Sequence, residues 1–223
     1  MKKIVLNALL VSAVAFTACK NDKSNETQPE DAQEVAMASE EQGATFSVDS
    51  SATVIEWEGE KPTGSHMGTI KVSEGNFTVN DSAVLSGNFT IDMNSIEVTD
   101  LEGDQKANLE AHLKGTVDEK QDDFFNVKKF PTAKFEVTGT SKSEDGKTLL
   151  EGNLTIREET KNISFPVSIS QEGDMLTLTS EEFTIDRTKW NVNYGSKSVF
   201  EGLKDNFVYD DIQLKIDLKA KKS

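Results

Sequence analysis

Few side chains in this sequence of 223 residues are suited to covalent or coordination chemistry: one cysteine, Cys19, and two histidines, His66 and His112. Nucleophilic catalysis has no candidate, because the single thiol has another assignment, given below, and no Gly-x-Ser-x-Gly elbow occurs. A lone cysteine also excludes internal disulfides and CxxC sites. Zinc can be held by two histidines and an acid such as Asp186, but His66 and His112 are 46 residues apart and no HExxH spacing exists, so no metal is expected. What remains is recognition chemistry. His66 and His112 can hydrogen-bond a polar head group, and Arg187 can clamp a phosphate or carbonyl. The plainer alternatives are histidines satisfied within the fold and an arginine whose ion pair closes one end of the domain. Lys and Arg total 24 against 39 Asp and Glu, a net charge of −15, the opposite of the balance that nucleic acid requires. The carboxylates read as solvated strand faces, and neither an enzyme nor a cofactor is expected.

These residues are carried by strands. Ile55 and Trp57 share one face, and Leu85, Phe89, Ile91 and Met93 share another, with Ser86, Asn88, Thr90 and Asp92 opposite. The same period of two runs through Phe77/Val79, Leu150/Leu154/Ile156, Ile163/Phe165/Val167/Ile169, Leu176/Leu178, Phe183/Ile185 and Ile212/Leu214/Ile216/Leu218. Turn residues separate the runs, as at Ser73-Glu74-Gly75-Asn76 and Gln171-Glu172-Gly173-Asp174. About eight half-buried strands with short connections suit an all-β, antiparallel up-and-down barrel. Alternation alone does not distinguish an apolar interior from an apolar exterior; the charge density favours the former. One interruption, 103–129, carries Leu109, Leu113 and Val117 at helical spacing and predicts a short helix. With the aromatic-rich loop 122–131 it forms a cap over one end. If the strand through Phe183 and Ile185 stays regular, Arg187 falls on its apolar side.

The first 18 residues have a signal-peptide layout: Lys2 and Lys3, then an apolar run broken only by Asn7 and Ser12. As a helix that run spans roughly 20 Å, too short to cross a hydrocarbon layer of about 30 Å permanently. Thr17-Ala18-Cys19 resembles the lipobox of bacterial lipoproteins, with Phe16 where leucine is usual. The resemblance implies cleavage before Cys19 and its acylation; the alternative is a plain secretory signal. Residues 19–43 have no aromatic side chain and read as a disordered, acylated tether. The organisation expected is therefore leader 1–18, tether 19–43 and barrel domain 44–223. Lys20 and Asp22 faintly resemble a surface-export signal, so the barrel is expected on an outer membrane, on its periplasmic face or at the cell surface.

Four stretches, in order, resemble the YceI-like or polyisoprenoid-binding proteins. They are Trp57-Glu58-Gly59-Glu60-Lys61-Pro62-Thr63-Gly64-Ser65-His66-Met67-Gly68; His112-Leu113-Lys114 with Asp123-Phe124-Phe125 and Lys129-Phe130-Pro131-Thr132-Ala133; Gly152-Asn153-Leu154-Thr155-Ile156 with Thr160-Lys161 and Ile163-Ser164-Phe165-Pro166; and Phe183-Thr184-Ile185-Asp186-Arg187-Thr188-Lys189-Trp190 continuing to Ser196. The chain departs from the pattern at Leu109-Glu110 and in the long spacing from His112 to Asp123, which marks an insertion in the cap. The resemblance implies a lipocalin-like barrel holding a polyisoprenoid, an isoprenoid quinone or a similar amphiphilic chain. The expected ligand-facing residues are Trp57, Phe77, Phe89, Ile91, Leu154, Phe165, Val167, Phe183 and Ile185 around the chain, with His66, Arg187 and His112 toward its head. The competing expectation is a structural or stress-related envelope barrel with a filled core, since an eight-stranded barrel either fills its interior or keeps room for one small ligand.

Overall fold

Strands form where apolar and polar residues alternate, because a pleated chain then turns one row of side chains to a core and the other to water. The computed structural model describes residues 25–38, 42–80 and 83–223; the leader and Cys19 lie outside them. In chain order the elements are β1 (Glu30–Asp31), β2 (Ala44–Val48), β3 (Val54–Lys61), β4 (Gly64–Asn80), β5 (Ala83–Val98), α1 (Gly103–Lys114), β6 (Thr132–Lys142), β7 (Thr148–Ile156), β8 (Glu159–Glu172), β9 (Met175–Ser180), β10 (Phe183–Asp186) and β11 (Asp211–Lys222).

Strands β4 to β8 are antiparallel neighbours in sequence order, β8 continues to β9, and β9 pairs with β11. Both β2 and β3 lie between β11 and β4, and together they close the ring. Likewise β9 and β10 share one position beside β11. The result is an antiparallel barrel of eight positions with one short helix, and its apolar rows face inward. Phe77, Phe89, Ile91, Leu154, Phe165, Val167, Phe183 and Ile185 are all buried in a single core.

Two local expectations change. Leu85 is only half-buried, while Val84 is fully buried. The β4–β5 register shifts between Thr78 and Val79, and one extra residue in a ladder moves every later side chain to the other face. Helix α1 exists, but none of its residues is buried. Leu113 packs half-buried against the core, and polar contacts fasten the rest: the Glu110 carboxylate accepts from the Val98 N–H (3.0 Å) and Lys106 reaches Glu97 (2.9 Å).

The tether is the larger correction. Residues 25–38 are laid against the barrel. Strand β1 pairs with β8 at Asn162 and Lys161, the Asn153 side chain bonds both the N–H and the C=O of Gln33 (2.9 and 2.7 Å), and the Ala36 N–H donates to the Val137 carbonyl (2.9 Å). Polar composition hid this, because the contacts come from backbone groups, which every residue type except proline carries in full.

Candidate ligand-binding site

Six phenylalanines, one each from β2, β4, β5, β6, β8 and β10, form a chain of touching rings around the interior. Phe46, Phe77, Phe89, Phe135, Phe165 and Phe183 follow one another with centroid separations of 6.1, 5.6, 6.3, 5.6 and 4.3 Å. Register explains most of it. Phe46 lies opposite Phe77, and Phe89 opposite Phe135, so their rings meet across adjacent strands. Strand β7 contributes no ring, and Gly152 is the reason the series continues past it. A Cβ there would lie 2.3 Å from the Phe135 ring, so only glycine lets that ring lie on the β7 backbone and reach Phe165 on β8.

Four of these rings, Phe89, Phe135, Phe165 and Phe183, border a cavity of about 90 Å³ whose wall is apolar throughout. Of the residues expected to face a ligand, Phe89, Ile91, Leu154, Phe165 and Phe183 line it. Phe77, Val167 and Ile185 are buried in the same core but lie beyond that wall. Wall residues absent from the expected set include Phe135, Leu150, Ile163 and Leu214. Their signal was the same inward parity, present in the sequence but spread over every strand.

The polar candidates assemble elsewhere. Trp57 sits against Gly68, where an added Cβ would meet its ring at 2.5 Å, and its Nε1 donates to the Thr69 carbonyl (3.2 Å). His66 Nδ1 lies 2.8 Å from the Asp100 carboxylate at the β3–β4 hairpin end. Burial raises the Asp100 pKa, but hydrogen bonds from His66 and from the Met67 N–H outweigh it and hold the carboxyl below its ordinary value. His112 on α1 meets Asp123 at 2.7 Å and is edge-on to Phe124 and Tyr194, with centroids 5.0 and 4.8 Å away. That cluster locks the helix to the loop following it.

Arg187 is 2% exposed and organises the connection from β10 to β11. Nε donates to the Tyr209 carbonyl (3.1 Å), and the two terminal nitrogens donate to Val192 (2.6 Å) and Val208 (3.1 Å), with Asp210 3.7 Å away. Burial lowers its pKa, opposed by Asp210 and Asp186. With its fork occupied by backbone, Arg187 is not presented to the cavity. The strand ends at Asp186 and a 3-10 turn (Arg187–Trp190) begins there, which removes the regular alternation behind the expected placement. Trp190, fully buried, closes this end and donates from Nε1 to the Leu154 carbonyl (2.9 Å).

Relatives share this architecture. The YceI-like domain model matches residues 46–220. A UPF0312 protein of Yersinia pestis (strain Pestoides F) is 32% identical over 109 residues, 48% of this chain and 50% of the relative; Protein YceI of Salmonella arizonae is 33% identical over 110 residues with the same coverage. The alignment thus spans about half the length of these relatives. Among solved structures, Burkholderia cenocepacia BcnA superposes with a TM-score of 0.55 at 23% identity, covering 77% of this chain and 98% of that one. A polyisoprenoid-binding domain from Saccharophagus degradans superposes at 0.56 with 12% identity, covering 81% and 99%. These two likenesses establish a common fold. With the domain model covering nearly the whole barrel, the chain belongs to the YceI-like family.

Proposed function

We propose that this protein is a lipid-anchored binding or carrier protein for a polyisoprenoid, an isoprenoid quinone or a similar amphiphilic chain, held on an outer membrane through acylated Cys19. The observation that carries the reading is the apolar cavity bordered by the phenylalanine belt. Such a wall offers dispersion contacts and no hydrogen bond, so it selects hydrocarbon over any polar solute. Each isoprene unit withdrawn from water is worth roughly 4 kcal/mol before entropic costs, at about 0.8 kcal/mol per carbon. The family and the polyisoprenoid-binding neighbour support a binding role.

The second reading, an envelope barrel with a filled core, is favoured by the cavity volume. About 90 Å³ is less than the roughly 150 Å³ that accommodates a benzene ring, so a long chain requires the interior to open. Organic extraction of the purified protein followed by mass spectrometry separates the two readings. The carrier yields an isoprenoid-tailed lipid and binds all-trans-retinol, an isoprenoid alcohol, saturably; absence of both establishes the filled barrel. Palmitate labelling that is equal in wild type and Cys19→Ala overturns the anchor.

A further inference from the structure

Along the edge between β8 and β10 the barrel wall has a seam that its own strands do not close. Pairing of β8 with β9 ends where the Glu181 N–H donates to the Pro166 carbonyl (3.1 Å), after which the chain bends into β10, which pairs with β11. The two sides meet again at the cap, where Asn191 Nδ2 donates to Glu159 (2.8 Å). Between these points no ladder joins β8 to β10 among the described residues. Residues 25–31 fill the gap. Glu26 bridges Thr184 in parallel, the Thr27 N–H and hydroxyl both donate to the Thr184 carbonyl (2.9 and 2.8 Å), and β1 pairs with β8. Directly behind lie Phe165 of β8 and Phe183 of β10, stacked at 4.3 Å with 7° between their planes, and both line the cavity.

The ends of the barrel are packed by comparison. Trp190 plugs the cap end, and at the opposite end Phe46, Val84, Leu176 and Ala220 are fully buried. The seam is closed by a segment whose regular ladder is two residues long; its other holds are isolated bonds, from Asn25 to Glu181 and Glu182, from Thr27 to Thr184 and from Ala36 to Val137, an Asp31–Lys161 ion pair, and a clamp in which Asn153 grips the Gln33 backbone while Asn162 Nδ2 donates to Asn153 Oδ1 (3.1 Å) and the Thr138 hydroxyl (3.0 Å). Segments held by so few ladder bonds open first.

We infer that the hydrophobic chain passes laterally through the β8–β10 seam, and that residues 25–38 are the detachable strand that closes it behind the ligand. This rests on the carrier reading above. Peeling the strand uncovers the Phe165–Phe183 pair, which parts to admit the chain while a polar head stays outside among Asn153, Asn162 and Thr184. Asn25 is six residues after Cys19, at most about 20 Å of chain, so acylation at Cys19 holds the seam close to the bilayer that supplies the ligand.

The test locks the strand. Glu30 and Asn162 are antiparallel ladder partners, a spacing of about 4.5–5.5 Å that a disulfide spans. In the full chain carrying C19S, the oxidised E30C/N162C pair takes up and releases all-trans-retinol at least tenfold more slowly than the same sample reduced with dithiothreitol, a comparison in which the loss of Asn162 from the clamp is common to both states. Asn153→Ala, which weakens the clamp without a cross-link, speeds release at least threefold. Equal rates in the oxidised and reduced protein, or unchanged release from Asn153→Ala, overturn lateral passage while leaving the carrier reading intact. A wild-type chain that binds no retinol and carries no lipid overturns the carrier reading, and the portal falls with it.

Discussion

At the scale of single residues, His66, His112 and Arg187 are engaged within the fold, while the cavity is bordered by phenyl rings and other apolar side chains. Gly152→Val places branched carbon where the Phe135 ring lies, forcing the ring from the belt. We expect a loss of about 1–3 kcal/mol in urea unfolding, together with loss of any co-purified lipid. Arg187→Met leaves the buried Val192 carbonyl and its neighbours without their donor, at a cost of about 2–4 kcal/mol. Because that arginine serves the 191–210 connection, bound lipid per folded molecule stays unchanged; a proportional loss shows instead that the guanidinium contacts ligand. Asp100 gives a signed pH effect. Its carboxyl is held below its unfolded-state value, so its contribution is complete above about pH 4 and fades as pH falls through the folded-state pKa. Asp100→Asn is accordingly less stable than wild type near neutrality by about 0.5–1.5 kcal/mol, and the gap narrows as the solution is acidified.

Elements explain why the cavity lies where it does. Strand register sets which rings meet, and a bulge in the β4–β5 ladder moves Val84 rather than Leu85 to the interior. Filling the wall is the sharpest probe at this scale. Val167, buried but beyond the wall, is the wrong position; Leu150, on the wall in β7, is the right one. Leu150→Trp adds bulk without charge, and the expected outcome is a folded β-barrel by circular dichroism that no longer carries lipid or binds retinol. Undiminished retinol binding by the folded variant excludes this cavity as the site. Helix α1, lacking buried residues, is coupled to its loop through the His112 cluster, so His112→Ala costs about 1–2 kcal/mol without altering the ligand pool.

For the whole molecule, the segment ahead of the barrel belongs to the fold. A chain reduced to residues 44–223 keeps a β-rich far-UV spectrum, because every long ladder lies within it. It loses the strand that covers the β8–β10 seam and lies over the buried Asn153 and Asn162. We expect a drop of roughly 5–10 °C in thermal midpoint, equivalent to about 2–4 kcal/mol for a domain of this size, and new binding of a dye that reports exposed apolar surface. An unshifted midpoint shows that 25–38 contributes nothing to closure.

The sequence by itself determined the class of this protein: period-two alternation fixes which face each strand buries, so the inward rows carrying Phe89, Leu154, Phe165 and Phe183 were legible as soon as the strands were, and the four motifs pointed to the family. Tertiary structure alone decided which inward residues surround empty space, because a cavity is set by how rings from distant strands divide a common interior, and Gly152 matters only through Phe135. It also decided the partners of the polar groups. Arg187 spends its donors on backbone carbonyls that arrive from 192, 208 and 209, an environment no local pattern encodes. The seam strand was hidden for the same reason, since residues 25–38 are held through main-chain groups that composition does not register.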